Sequence, residues 1–501
     1  MKVFDLHCHP TLKPLLSNRD DRPTPWDEIN IWVDNPFGNI YDSQSTIDQL
    51  LDGGCNLACV GLMAIETAFV KRCIVKAIAG PVSYVDKKQV RRIGKALPGY
   101  TYEDLLAEEI DSIRKFDSNP EVPTEQVKFI SSMAEYHPED KHIMHLIASL
   151  EGGHGLYYDG NQYEDSNKLI DKIKAYRVNE PVRLLYLTLV HISQNALANH
   201  AFGIKILKKT HFFPDGNGIT DLGHEIIKAC LSEELPGKPI LIDIKHLSLV
   251  ARMDLYKKYA HKPIIASHIA VTGCSWKNKP IIKVRKRKIH DVYKVKYNRQ
   301  AGHLPGTYFN PDSINLYDED IVAILKSGGI MGLILDERVL GYPNNKTTSK
   351  EFVSKKEWDQ FISANGQAIE DMTELEDLED DQENEAIEME LDQQFAGAGK
   401  EMDYNLRRLH ALYLLNNIIH IIKVGDKLEG IDPRKQIVLG SDFDGLINPI
   451  QGCTSADQFD DLIDDLKYLT DKYAQNEIPN CNEFIEDFFY RNGVAFLEKN
   501  F

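Results

Sequence analysis

Six apolar runs in this chain each end on a residue able to bind a metal ion, and that recurrence constrains the fold more than any other feature. Residues 3–6 lead into His7-Cys8-His9, 143–150 into Glu151, 182–190 into His191, 239–245 into His246, 263–267 into His268, and 436–441 into Asp442. One histidine at a strand end would mean little, whereas six such endings ask for a fold that gathers distant strand ends. Parallel strands alternating with helices around a closed barrel do this, because every strand C-terminus converges on one face. Two more apolar runs, 56–64 and 329–335, bring the strand count to eight. Their near-continuous apolar character marks strands buried on both faces. Between them, 45–52, 220–234, 318–326 and 456–473 repeat apolar residues at the helical spacing. The expectation is a (β/α)8 barrel.

At 501 residues the chain exceeds a minimal barrel of roughly 250 residues. We expect one domain over 1–501 with two loop insertions, a basic one at about 275–308 and an acidic one at about 343–403. Within them, 277–299 hold ten Lys or Arg against one acid, and 370–392 hold thirteen Asp or Glu and no base. Such runs read as solvated surface, and the sharper alternative is that the two meet over the mouth of the barrel. A net charge of −18 argues against nucleic acid as a partner. No apolar stretch reaches the roughly 18 residues that would suggest a membrane span. The first strand starts at the third residue, which leaves no space for a secretion signal, so a cytoplasmic protein is expected. The cysteines mostly lie inside apolar runs, where a free thiol packs like a small hydrophobe. Cys55 and Cys59 lack a second matching pair, so no structural zinc is expected there. Cys8 should point away from His7 and His9, since side chains alternate along a strand.

His7 and His9 share one face of the first strand, so both can bind one ion. Glu151 can bridge to a second ion served by His246 and His268, with Asp442 available to the first. Two divalent ions would lower the pKa of a shared water to about 7, so the predicted reaction is hydrolysis of an amide or related bond. Asp442 can also take and return a proton. In Gly440-Ser441-Asp442-Phe443-Asp444-Gly445 either aspartate fits that task, and Asp442, which ends the strand, is preferred.

These motifs together resemble the membrane dipeptidase (renal dipeptidase) family of the amidohydrolase superfamily. The resemblance runs through Asp5-Leu6-His7-Cys8-His9, Leu150-Glu151-Gly152-Gly153, Arg183 to Asn195, Gly218 to Gly223, Asp243 to Ser248, Ala266-Ser267-His268, Gly440 to Gly445 and Arg491-Asn492-Gly493. It implies two zinc ions, one on His7, His9 and Glu151 and the other on Glu151, His246 and His268. It further implies Asp442 as proton shuttle, His191 as a group touching the substrate or its tetrahedral intermediate, a small peptide-like substrate and a homodimer. Two residues depart from the family pattern. His9 stands where the family has Asp, which changes the charge of the site. Ile314 stands where the family has the arginine that binds the dipeptide carboxylate, and Arg299 of the basic stretch is the suggested replacement. A non-dipeptide amide or lactone is the alternative substrate, and a barrel used only as a binding module is a third reading. His154 and His200 are expected beside the site or at the surface, His142 and His145 in packing, and Tyr157-Tyr158 and Phe212-Phe213 in core or loop packing.

Overall fold

The computed structural model describes residues 1–16, 24–29, 42–67, 87–95, 101–156, 165–193, 195–203, 212–286, 291–342, 347–365, 372–374 and 404–501. Cys73, Tyr157-Tyr158 and nearly all of the acidic run lie outside those residues.

Eight parallel strands form the expected barrel: β1 (Val3–Cys8), β2 (Cys55–Leu62), β3 (Ile143–Glu151), β4 (Leu184–Thr188), β5 (Leu241–Asp243), β6 (Ile264–Ile269), β7 (Ile330–Leu333) and β8 (Ile437–Leu439). Each is hydrogen-bonded to the next in chain order. The ring closes where the Asp442 N–H donates to the His7 carbonyl at 2.9 Å and the His9 N–H to the Phe443 carbonyl at 2.8 Å. Every residue of β1 and β2 is buried, as the unbroken apolar runs required. Ile47–Asp52, Asp221–Leu231, Asp318–Ser327 and Phe459–Tyr473 are helices, close to the expected stretches. A short strand, Gln126–Phe129, pairs with β3 outside the ring.

The expectation of charged loops needs correction. Ile281–Lys286, Val292–Asn298, Thr348–Ser354 and Met372–Glu374 build a second sheet of four strands. Lysines alternate with apolar residues here, so one face is charged while Val284, Val295, Tyr297 and Trp358 form a small core on the other. The two stretches therefore meet, joined by backbone ladders between Val292–Asn298 and Thr348–Ser354. Their sheet docks beside the C-terminal face of the barrel. Glu357 accepts from the Gly218 N–H and the Ser248 hydroxyl, both at 2.7 Å, and Phe352 packs with Phe202 and Phe213. A cavity of about 390 Å³, open to solvent, runs along this seam between Ser248, Lys279, Phe352 and Trp358. None of the predicted ligands lines it, although Ser248 stands two positions beyond His246. Among the described residues no helix is long and apolar enough to cross a membrane.

Candidate metal centre

Strand ends carry unpaired N–H groups, and two buried aspartates collect them in the same way. Asp5 Oδ1 accepts from the N–H of His7 at 3.1 Å and of Ser441 at 2.9 Å, and its Oδ2 takes the Ser441 hydroxyl. Asp243 Oδ1 accepts from Lys245 and Ser267, both at 3.0 Å, while Oδ2 takes the hydroxyls of Ser267 and Thr188. Burial raises the pKa of both, that of Asp5 to about 6, against the opposing hydrogen bonds. Beyond these clamps His246 and Asp442 take left-handed backbone, at φ 64° and 62°. Such conformations are costly for residues other than glycine and persist where the surroundings fix them.

The side chains so positioned converge on Glu151. His9 Nε2 lies 3.2 Å from its Oε2, and His246, His268 and His7 Nε2 lie 3.2, 3.4 and 3.6 Å from its Oε1. Asp442 Oδ1 sits 3.4 Å from His9 Nε2 and 3.8 Å from His7 Nε2. His191 Nε2 is 3.9 Å from Glu151. Three sets have ligand atoms within 4.8 Å of one another: His7, His9 and Asp442; His7, Glu151 and His268; Glu151, His191 and His246. Gly61 makes the space, since a Cβ there would stand 2.6 Å from His9 and 2.7 Å from His7.

Hydrogen bonds behind the rings fix which nitrogen is free. Tyr186 donates its hydroxyl to the Leu6 carbonyl, so it accepts from His7 Nδ1–H at 2.7 Å. Ser267 donates to Asp243, so it accepts from His268 Nδ1–H at 2.8 Å. The Gly61 carbonyl accepts from His9 Nδ1–H at 2.7 Å. Each leaves an Nε2 lone pair facing the cluster, the arrangement that orients histidine ligands. His7 and His9 Nε2 are buried without a hydrogen-bond partner, an expensive state unless something binds there. The donor set fits a divalent cation.

Electrostatics agree with that fit. Burial pushes His246 down to about 3 and His268 well below the usual range, which keeps both neutral. Burial opposes ionisation of Glu151, yet His191 and His7 hold it well below ordinary carboxylates. His191 is raised to about 9, against burial, by Glu66 and Glu151. Glu66 accepts from His191 Nδ1–H at 3.1 Å and is itself lowered to about 2 despite its burial, chiefly by that ring. Burial raises Asp442, with His9 and His7 pulling the other way.

All six residues expected to bind metal, together with His191, thus share one cluster. His191 stands within ligand distance, and His7 belongs to two of the three sets. Asp444 is elsewhere engaged, accepting from Gln44 and Ser45 and pairing with Lys13. Cys8 packs against β2, its thiol directed at the Cys59 carbonyl. His145 and His200 are fully buried, and His154 is buried edge-on to Tyr102. Sequence reading missed Glu66, whose only signal is a carboxylate just past the second apolar run. It also missed Tyr186, hidden inside a strand. Ile314 is 8 % exposed and offers no charge. Arg299, the suggested replacement, donates from Nη1 to the Gly341 carbonyl at 2.9 Å.

No family model and no curated protein sequence matches the chain. Solved structures do. A dipeptidase AC described as a metallopeptidase aligns over 100 % of this chain and 98 % of its own, with 14 % identity and a TM-score of 0.51. The chain has the fold of that dipeptidase. A metallopeptidase from Rhodobacter sphaeroides, solved with a phosphinate mimic of the dipeptide L-Ala-D-Ala, aligns over 100 % and 99 % at 13 % identity and a TM-score of 0.50. The probable dipeptidase PvdM from Pseudomonas aeruginosa covers 100 % of this chain and 96 % of its own at 12 % identity, with a TM-score of 0.56. The dipeptidase-type barrel expected from the motifs is the fold these three share with this chain.

Proposed function

We propose that this chain is a metal-dependent hydrolase that cleaves a small peptide or peptide-like amide with two bound divalent ions. The observation that carries this reading is the convergence of the orphaned His7 and His9 nitrogens with His246 and His268 on the two oxygens of one buried carboxylate, Glu151. Imidazole nitrogen with carboxylate oxygen and no thiolate suits zinc. When bound, the ions would supply a water of pKa about 7 and polarise the scissile carbonyl. The chain's own groups do the rest. Asp442 accepts the proton of the attacking water at Oδ1 and passes it to the leaving amine, work suited to a carboxylate whose burial has raised its pKa. His191, held by Glu66, points Nε2 at the cluster and donates to the oxyanion as charge develops there.

The dipeptide mimic bound by the Rhodobacter neighbour supports a small peptide-like substrate, and Ile314 keeps a non-dipeptide amide or lactone as the second reading. A cytoplasmic setting accords with seven described cysteines that are all free. The test is metal analysis after chelation and zinc reloading, followed by a dipeptide panel that includes L-D pairs and C-terminal amides. Two ions per chain and cleavage that disappears on chelation are expected. A chain that takes up no divalent ion, or cleavage that survives chelation, would sink the proposal.

A further inference from the structure

Arg299 donates from Nη1 to the carbonyl of Gly341. Gly341 ends the short helix Glu337–Leu340 that follows β7 on the ligand face of the barrel. That helix carries another arginine. Arg338 Nε donates to Asp336 at 3.0 and 3.2 Å, and its Nη2 pairs with the same carboxylate. Asp336, 2 % exposed, is fixed in turn by the N–H groups of Arg338, Val339 and Asn448. Asn448 lies on the loop that follows Asp442, and its carbonyl accepts from the Glu337 N–H at 3.0 Å. The helix is thereby sewn to the loop bearing the proposed proton shuttle. Among the described residues Arg338 Nη1 has no hydrogen-bond partner, and 41 % of the side chain is open to solvent.

Lys245 is 3 % exposed, and among the described residues no carboxylate pairs with its ammonium within 4 Å. It follows Asp243 by two positions as His7 follows Asp5, with the same clamp on its N–H, so it lies on the barrel's inner face. Asp442, Glu151, Asp243 and Asp336 are the charges that act on it, in that order, after burial. Burial also opposes the Arg338 charge, which Asp336, Glu337 and Asp442 sustain. Asp336 and Asp442 thus act electrostatically on both side chains. Asp336 takes the Nε–Nη2 edge of Arg338 and leaves the Nη1 side open.

We propose that Arg338, locked by Asp336, seats the free carboxylate of the substrate in place of the arginine missing at Ile314. The open Nη1–Nη2 edge matches a carboxylate in two-point geometry. The substrate class rests on the hydrolase reading above. The seat itself is tested by binding, on zinc-loaded protein, using the phosphinate mimic of L-Ala-D-Ala and its C-terminal carboxamide in calorimetry. Wild type should bind the carboxylate form about tenfold or more tighter than the amide. Arg338→Ala should bring that ratio near one with zinc content unchanged, and Arg338→Gln, which keeps a donor for Asp336, should do the same if the alanine variant misfolds. A ratio near one in wild type, or a tenfold ratio surviving in the folded variant, overturns the seat. A ratio that depends on Arg338 in a protein that cleaves no dipeptide supports the seat and removes the proposed reaction.

Discussion

His191 and Glu66 form a pair whose two members shift in opposite directions, and their pH window follows from that. Glu66, lowered to about 2, adds stability above the ordinary glutamate pKa and loses it as pH falls toward 2. His191, raised to about 9, adds stability below the ordinary histidine pKa and loses it as pH rises through 9. Metal-free wild type should therefore exceed Glu66→Gln in stability most between about pH 4.5 and 6.5, with the difference shrinking on both sides. Denaturant melts across pH would show it, and a flat difference would count against the pair. Because a ring-orienting partner typically contributes about 10–100-fold, the same variant should lower kcat by that order on any cleaved dipeptide while zinc content holds.

At the scale of elements, the two aspartate clamps make strand ends into ligand mounts. Ser267→Ala would strip an acceptor from His268 Nδ1–H and a donor from Asp243, both in a dry interior. A loss of about 1–3 kcal/mol in chemical denaturation is expected, together with weaker zinc binding in a competition titration. Unchanged zinc affinity would mean the His268 ring is positioned by packing alone. The eight strands and the side chains that cluster at their ends were legible because the apolar runs stop at those residues. The 22-residue helix Tyr404–Gly425 was not, since its residues from His410 to Ile422 are buried on every side and no 3.6-residue alternation survives. The strands of the second sheet hid behind their lysine count, although Val292, Lys294 and Lys296 alternate with Tyr293, Val295 and Tyr297. Arg338 was unreadable for a different reason, as its setting depends on Asp336 and on the loop that follows β8.

Across the whole molecule, Glu109 ties three segments near the first strands, accepting from the Met63 N–H and the Thr11 hydroxyl. Burial raises it to about 8. Its contribution is complete below the ordinary glutamate pKa of about 4.5 and declines as pH rises to 8, by up to about 1.4 kcal/mol per pH unit. Glu109→Gln should flatten that decline in thermal melts of the metal-free protein, and an identical slope would exclude the assignment. The closure of the barrel carries a consequence of another kind. Asp5 and Ser441, which join the first strand to the last, stand 436 positions apart. At about 5–20 residues per second, a ribosome needs roughly 20–90 s to travel between them. Throughout that interval His7 and His9 wait on an unclosed edge, and no metal ion can find its full set of ligands. The cluster is therefore a late product of synthesis, and under the proposed function metal loading would certify that the chain has been read through its last barrel strand.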